Sequence, residues 1–268
     1  MTLRSAFDRA TAVQPAGAGR WLATCDASWS TPRGPNGGYL AAIVLRAMVA
    51  EVADAAREPR SLTLHYLRPP ADGELAVEVV VERSGRSLTS LSARVSQDGR
   101  LCILALAALA ADRPSVLDYA ATSPAVPPPE AIEPTPLRDG APSMVRHFEV
   151  RPALGAASFS GADEALTGGW LRFAEPRPLD AAALAMYADA WLPAPFTRLT
   201  GFVGAPTIDL TVHFRAPAAV AALAASEPVL AVFRSSTSGG GFFEEDGELF
   251  SRAGVLLAHS RQLALLTR

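Results

Sequence analysis

From Leu40 to about Val52 almost every position is apolar, with Arg46, Glu51 and Asp54 as the early charges. A helix apolar on nearly every face has to be enclosed by other elements, and this one is too short and too interrupted to span a bilayer. Asn36, just ahead of it, is a good N-cap, because its side-chain oxygen can accept from a free amide of the first turn. Gly37 and Gly38 carry no Cβ, so a second backbone or a ligand can approach that turn closely. Pro59 disfavours helix at the residue before it, which predicts an end near Arg57.

Downstream the period changes to two. Leu75, Val77, Val79 and Val81 alternate with Glu74, Glu78 and Glu82, and Leu91, Ala93 and Val95 alternate with Ser92 and Arg94, as in strands with one buried face. Gly85 separates these runs, and Asp98-Gly99 is a two-residue hairpin signal. Leu101 to Ala110 is almost wholly apolar and reads as a strand buried on both faces. With Trp21–Cys25 and Ser61–Leu67 as further strands, the first half predicts a central helix wrapped by an antiparallel sheet.

The pattern disappears from Ala111 to about Pro142, where Pro124, Pro127, Pro128, Pro129, Pro134 and Pro136 predict a stiff, extended connection. Then the order repeats. Met144–Val150 and Trp170–Glu175 are strand candidates, Asp180 caps a helix that stops before Pro193, and Thr207–Phe214, Val229–Arg234, Phe242–Ser251 and Val255–Leu266 are strands. Leu64-His65-Tyr66-Leu67-Arg68-Pro69 is echoed by Val212-His213-Phe214-Arg215-Ala216-Pro217, with the histidines 148 positions apart. Gly99 and Gly254 lie 155 apart. We read an internal duplication of one domain-sized unit, too long in period for a solenoid: residues 1–112, a Pro-rich linker at 113–142, and a second unit at 143–268.

Composition narrows the function. The chain has 268 residues, 49% hydrophobic and 19% charged, with a formal net charge of −3. That is a globular balance with a large core, and without a basic block nucleic acid is excluded as a partner. Cys25 and Cys102 lack disulfide or zinc-ligand spacing and read as buried, inert thiols. Met1–Ala10 holds Arg4, Asp8 and Arg9 and no apolar core of a signal peptide, so a cytoplasmic location is expected.

The duplication also locates candidate chemistry. By the later offset Gln262 falls opposite Ala107 and Ser260 opposite Ala105; by the earlier one Thr207 falls opposite Pro59. The second helix ends in Asp189 beside Trp191, where the first is aliphatic. Polar groups placed where the twin has only packing cost about 1–3 kcal/mol each unless paired. They point to one site in the second unit rather than two.

On these residues the chain resembles the acyl-CoA thioesterase II family, whose double hot-dog fold is α+β, each unit a long helix wrapped by an antiparallel sheet. The resemblance rests on Asn36-Gly37-Gly38, the apolar helix and Tyr66-Leu67-Arg68-Pro69 in the first half. In the second it rests on Ala188-Asp189-Ala190-Trp191-Leu192-Pro193, Pro206-Thr207-Ile208-Asp209 and Ser260-Arg261-Gln262. Better-known members carry Gly-Gly-Gln where this chain has Gly37-Gly38-Tyr39. The resemblance implies hydrolysis of acyl-CoA to CoA and a free acid by a water that Asp189, Thr207 and Gln262 hold and polarise, without metal or redox cofactor. Asn36, Gly37, Gly38, Tyr39 and Trp191 are expected to contact the substrate.

Burial of Asp189 near Trp191 and Tyr187 would raise its pKa and suit it to general-base work. The glycine-lined helix start is expected to offer free amides to a developing oxyanion. No GxSxG nucleophile is present. Asp209, two residues along the strand, is the substitute for Thr207, and His65 and His213 read as structural. Two other readings stay open: an enoyl-thioester hydratase using His213 with Asp209, and a non-catalytic acyl-CoA or acyl-chain binding protein. Two fused units allow a monomer, and a homodimer or higher homo-oligomer through sheet edges is a further expectation.

Overall fold

Asn36 caps the long helix as its position predicts, its Oδ1 accepting from the Tyr39 amide at 3.0 Å. The structure is a computed structural model and describes residues 5–267. Of the N-terminal stretch read as lacking a signal peptide, residues 1–4, including Arg4, lie outside the described residues. The helix, α1 (Gly37–Val52), buries Gly38 to Leu45 together with Ala47 and Met48. Its Arg46 reaches Asp8 at 2.7 Å and Asp180 at 3.5 Å. It ends earlier than Pro59 alone suggests, because Ala53 turns left-handed at φ 49°.

Strands β1 (Arg20–Cys25), β2 (Glu58–Tyr66), β3 (Gly73–Ser84), β4 (Leu88–Gln97) and β5 (Arg100–Ala110) belong to the first unit. The second holds β6 (Phe148–Gly155), β7 (Leu166–Phe173), helix α2 (Ala181–Tyr187), β8 (Thr207–Phe214), β9 (Val229–Arg234), β10 (Phe242–Phe250) and β11 (Leu256–Leu265). All pair antiparallel in one continuous sheet, ordered β1-β3-β4-β5-β2-β8-β11-β10-β9-β7-β6. The order β1-β3-β4-β5-β2 is mirrored by β7-β9-β10-β11-β8, so the two units meet at the β2–β8 seam. There Thr63 lies opposite Thr211, hydroxyls 3.0 Å apart and 148 positions apart in sequence. The offset read from the histidines is therefore the offset of a pseudo-twofold axis, and the tandem hot-dog architecture is the one found.

Both helices and the inner faces of both sheet halves form one core. The helices cross closely at Gly38, where a Cβ would stand 2.7 Å from the Met186 carbonyl oxygen and 2.9 Å from that of Ala185.

Several expectations are corrected. Pro59 lies inside β2, beside a register shift that accommodates its missing amide donor. β5 is not buried on both faces: Leu106 is 62% exposed, so the strand alternates like its neighbours. Ser143–His147 forms a 3-10 turn, and the strand begins only at Phe148. The Pro-rich connection does more than join the units. The Pro127 carbonyl accepts from Trp170 Nε1 at 2.9 Å, the Pro129 carbonyl accepts from Arg151, and Val126 and Ile132 pack on Trp170, Leu230, Val232 and Phe250. Both cysteines are buried, and burial pushes the Cys25 thiol up to about 12. Among the described residues no helix is long and apolar enough to cross a membrane.

Candidate active site

The start of α1 meets the end of α2 through side chains as well as backbone. Asn36 spends its carbonyl oxygen on its own helix, which leaves the amide nitrogen to donate to the Asp189 carbonyl oxygen at 2.7 Å and to Asp189 Oδ2 at 3.0 Å. An aspartate would cap the helix equally well but could not donate. The Gly38 amide donates to the same Oδ2 at 3.1 Å. Gly37 has to be glycine here, since a Cβ would come within 2.9 Å of Asp189 Oδ2 and 3.2 Å of the Tyr66 ring. Tyr66 closes this corner by donating its hydroxyl to the Gly37 carbonyl at 2.7 Å.

Burial pushes the Asp189 carboxyl up to about 6, against the opposing pull of the Gly38 and Gly37 amides and Asn36. It is raised enough to accept a proton and low enough to be largely ionised at neutral pH. This also corrects the expected oxyanion site. The Gly38 amide is engaged by Asp189 and the Tyr39 amide by Asn36, so the helix start stabilises the carboxylate instead.

Asp189 lines a cavity of about 450 Å³ whose wall also carries Asn36, Gly37, Trp191, Thr207 and Gln262. Phe196, Phe202, Phe243 and Leu265 add apolar surface, and the exposed Arg33 and Arg68 lie along it. The Thr207 hydroxyl donates to Gln262 Oε1 at 3.0 Å. Trp191 is fixed by its Nε1 donating to the Thr167 hydroxyl at 2.9 Å. The structure thus brings Asp189, Thr207 and Gln262 to one cavity.

Tyr39 is not brought there. It is fully buried, stacks on Trp29, and donates its hydroxyl toward the Ala10 and Thr24 carbonyls. Two residues along a helix turn a side chain to another face, so Tyr39 points into the core while Gly37 faces the cavity. Asp209 and His213 do not line the cavity either; His213 Nδ1 lies 3.1 Å from His259 Nε2, and His65 is exposed. Among the described residues no group of side chains could hold a metal ion.

Sequence reasoning missed Glu245. It is 3% exposed and accepts from Gln262 Nε2 at 2.8 Å and from the Ala194 amide. Burial pushes its carboxyl up to about 7, and the negative charge of Asp189 adds to the rise. The available signal was its phase: Glu245 lies two residues from the inward-facing Phe243 and so on the same face of the strand.

Comparison with known proteins points the same way. Residues 25–110 match the acyl-CoA thioesterase N-terminal domain and residues 124–266 the acyl-CoA thioesterase C-terminal domain. A hot dog fold protein of unknown function from Alicyclobacillus acidocaldarius is 29% identical over 99% of both chains, with a TM-score of 0.93. A Thermobifida fusca protein assigned to thioesterase II is 25% identical over 100% of both, with a TM-score of 0.83. The tesB protein of Mycobacterium avium subsp. paratuberculosis, 22% identical over 98% of both with a TM-score of 0.80, shares the fold. No curated protein matches the chain at a significant level.

Proposed function

The chain belongs to the acyl-CoA thioesterase family, with that family's N- and C-terminal domains in tandem, and on that premise we propose that it hydrolyses acyl-CoA to CoA and a carboxylic acid by direct attack of water. The observation that carries this reading is a carboxylate of raised pKa, held by Asn36 and Gly38, in a cavity shared with the Thr207–Gln262 pair. With its hydroxyl proton committed to Gln262, Thr207 offers lone pairs to the cavity. A water between Thr207 and Asp189 then gives one hydrogen to each and keeps a lone pair for the thioester carbonyl carbon. Asp189 takes the proton as the C–O bond forms; the tetrahedral intermediate expels the CoA thiolate, and the proton passes to that sulfur. Holding the water in line replaces a bimolecular encounter with a positioned one.

The apolar walls suit an acyl chain. Arg33 and Arg68, both exposed along the cavity, supply positive charge for the phosphates of CoA. The hydratase reading lacks its His/Asp pair in the cavity.

Incubation with short, medium, long and aromatic acyl-CoAs, followed by free-thiol release, tests the proposal. Release from at least one substrate, abolished by Asp189→Ala, is expected. Thermal stabilisation by an acyl-CoA without release from any would replace hydrolysis by binding alone.

A further inference from the structure

The twin of Glu245 shows what the position needs for packing alone. On β4, Leu91 lies opposite Ala107 of β5; on β10, Glu245 lies opposite Gln262 of β11. Leu91 is 1% exposed and Glu245 3%. The second unit has therefore placed a carboxyl and an amide, bonded to each other, where the first has leucine and alanine. A buried carboxyl is costly to keep for packing, and this one sits one residue behind the pair that faces the proposed water.

We propose that Glu245 is a positioning residue: its protonation sets which end of the Gln262 amide faces Thr207, and so whether Thr207 accepts from the water or donates to it. With Glu245 ionised, Gln262 Nε2 donates to it, Gln262 Oε1 takes the Thr207 proton, and Thr207 is an acceptor toward the cavity. A proton on Glu245 Oε1 would meet the Gln262 N–H groups, so the amide turns over. Its oxygen then accepts from Glu245, its nitrogen donates to Thr207, and the Thr207 proton is left for the lone pair that must attack. The ionised arrangement is the productive one.

The groups around Glu245 support a transition near neutrality. The Ala194 amide and Gln262 favour the charged form; burial and the negative charges of Asp189 and Asp246 oppose it, and its carboxyl is pushed up to about 7. Asp246 itself is paired with Arg261 at 2.7 Å. The inference rests on the hydrolase reading for its consequence but not for its geometry.

Two readouts of Glu245→Gln, a near-isosteric change, test it. In the wild type the side-chain amide signals of Gln262, identified by their loss in Gln262→Ala, shift with pH around neutrality; in Glu245→Gln they stay fixed. The acid limb of kcat steepens toward a two-proton dependence in the wild type and falls to one proton in the variant. Gln262 signals that ignore pH in the wild type, or titrate unchanged in Glu245→Gln, would overturn the proposal. Titrating signals with no thiol release from any acyl-CoA would retain the switch and remove the hydrolase reading. If Glu245→Gln does not fold, Glu245→Leu restores the first unit's residue. It should then lower kcat roughly tenfold to a hundredfold with KM within a few-fold, and an unchanged kcat would contradict the role.

Discussion

The two units share one strand order, yet at a few paired positions their inner faces differ in polarity. Ala107, Leu91 and Pro59 in the first unit stand where Gln262, Glu245 and Thr207 stand in the second. The first unit is the control for what the fold requires: apolar side chains at these positions make a complete core. The polar set in the second unit has to be held for another purpose, and it is internally bonded from Thr207 through Gln262 to Glu245. The first unit still contributes, because Asn36 and Gly38 at the start of its helix hold the carboxylate carried by the second. On the proposed reading, this asymmetry gives one site per pair of units.

The sharpest way to break the comparison is Asp189→Asn, which keeps shape and removes the proposed base. Thiol release should fall about a hundredfold to ten-thousandfold while circular dichroism stays that of the folded protein. Next is Gln262→Ala, which returns the second unit to the first unit's residue at that strand position. Turnover should drop roughly tenfold to a hundredfold, read as kcat with little change in KM. Gly38→Ala tests the helix crossing itself. The added Cβ would stand 2.7 Å from the Met186 carbonyl oxygen, and the overpacking should cost about 1–3 kcal/mol, visible as a lowered denaturant midpoint. The smallest effect is expected at the cavity's exposed charges. Arg33→Ala and Arg68→Ala should each raise KM for acyl-CoA a few-fold, less at high salt, and leave kcat alone.

Much of this was legible in the chain. Asn36, the period-two runs and Asp98-Gly99 act through local backbone chemistry; Asp98 and Gly99 do turn left-handed, at φ 50° and 72°. The duplication marked Asp189, Thr207 and Gln262 as polar where the first unit has packing, and the family resemblance implied their roles. What sequence could not reach is tertiary. Leu106 looked buried because its neighbours are apolar, but exposure depends on which sheet face is covered. The proline-rich segment has no period, and its bonds to Trp170 and Arg151 are made to partners distant in sequence. Tyr39 follows two glycines at a helix start, where proximity in sequence suggested a role that helical rotation does not allow. Glu245 hid between Glu244 and Asp246 in a run that resembles a solvated edge, and its burial and pairing with Gln262 show it to be interior.

The most direct test is the pH dependence of thiol release from the best acyl-CoA, measured between pH 5 and 8. A carboxylate base whose pKa is raised to about 6 works when deprotonated, so the rate should fall as the solution is acidified through that value, and the limb should vanish with the activity in Asp189→Asn. A rate that is flat across this range, or an Asp189→Asn enzyme that keeps the wild-type rate, would mean that the water is activated by some other group.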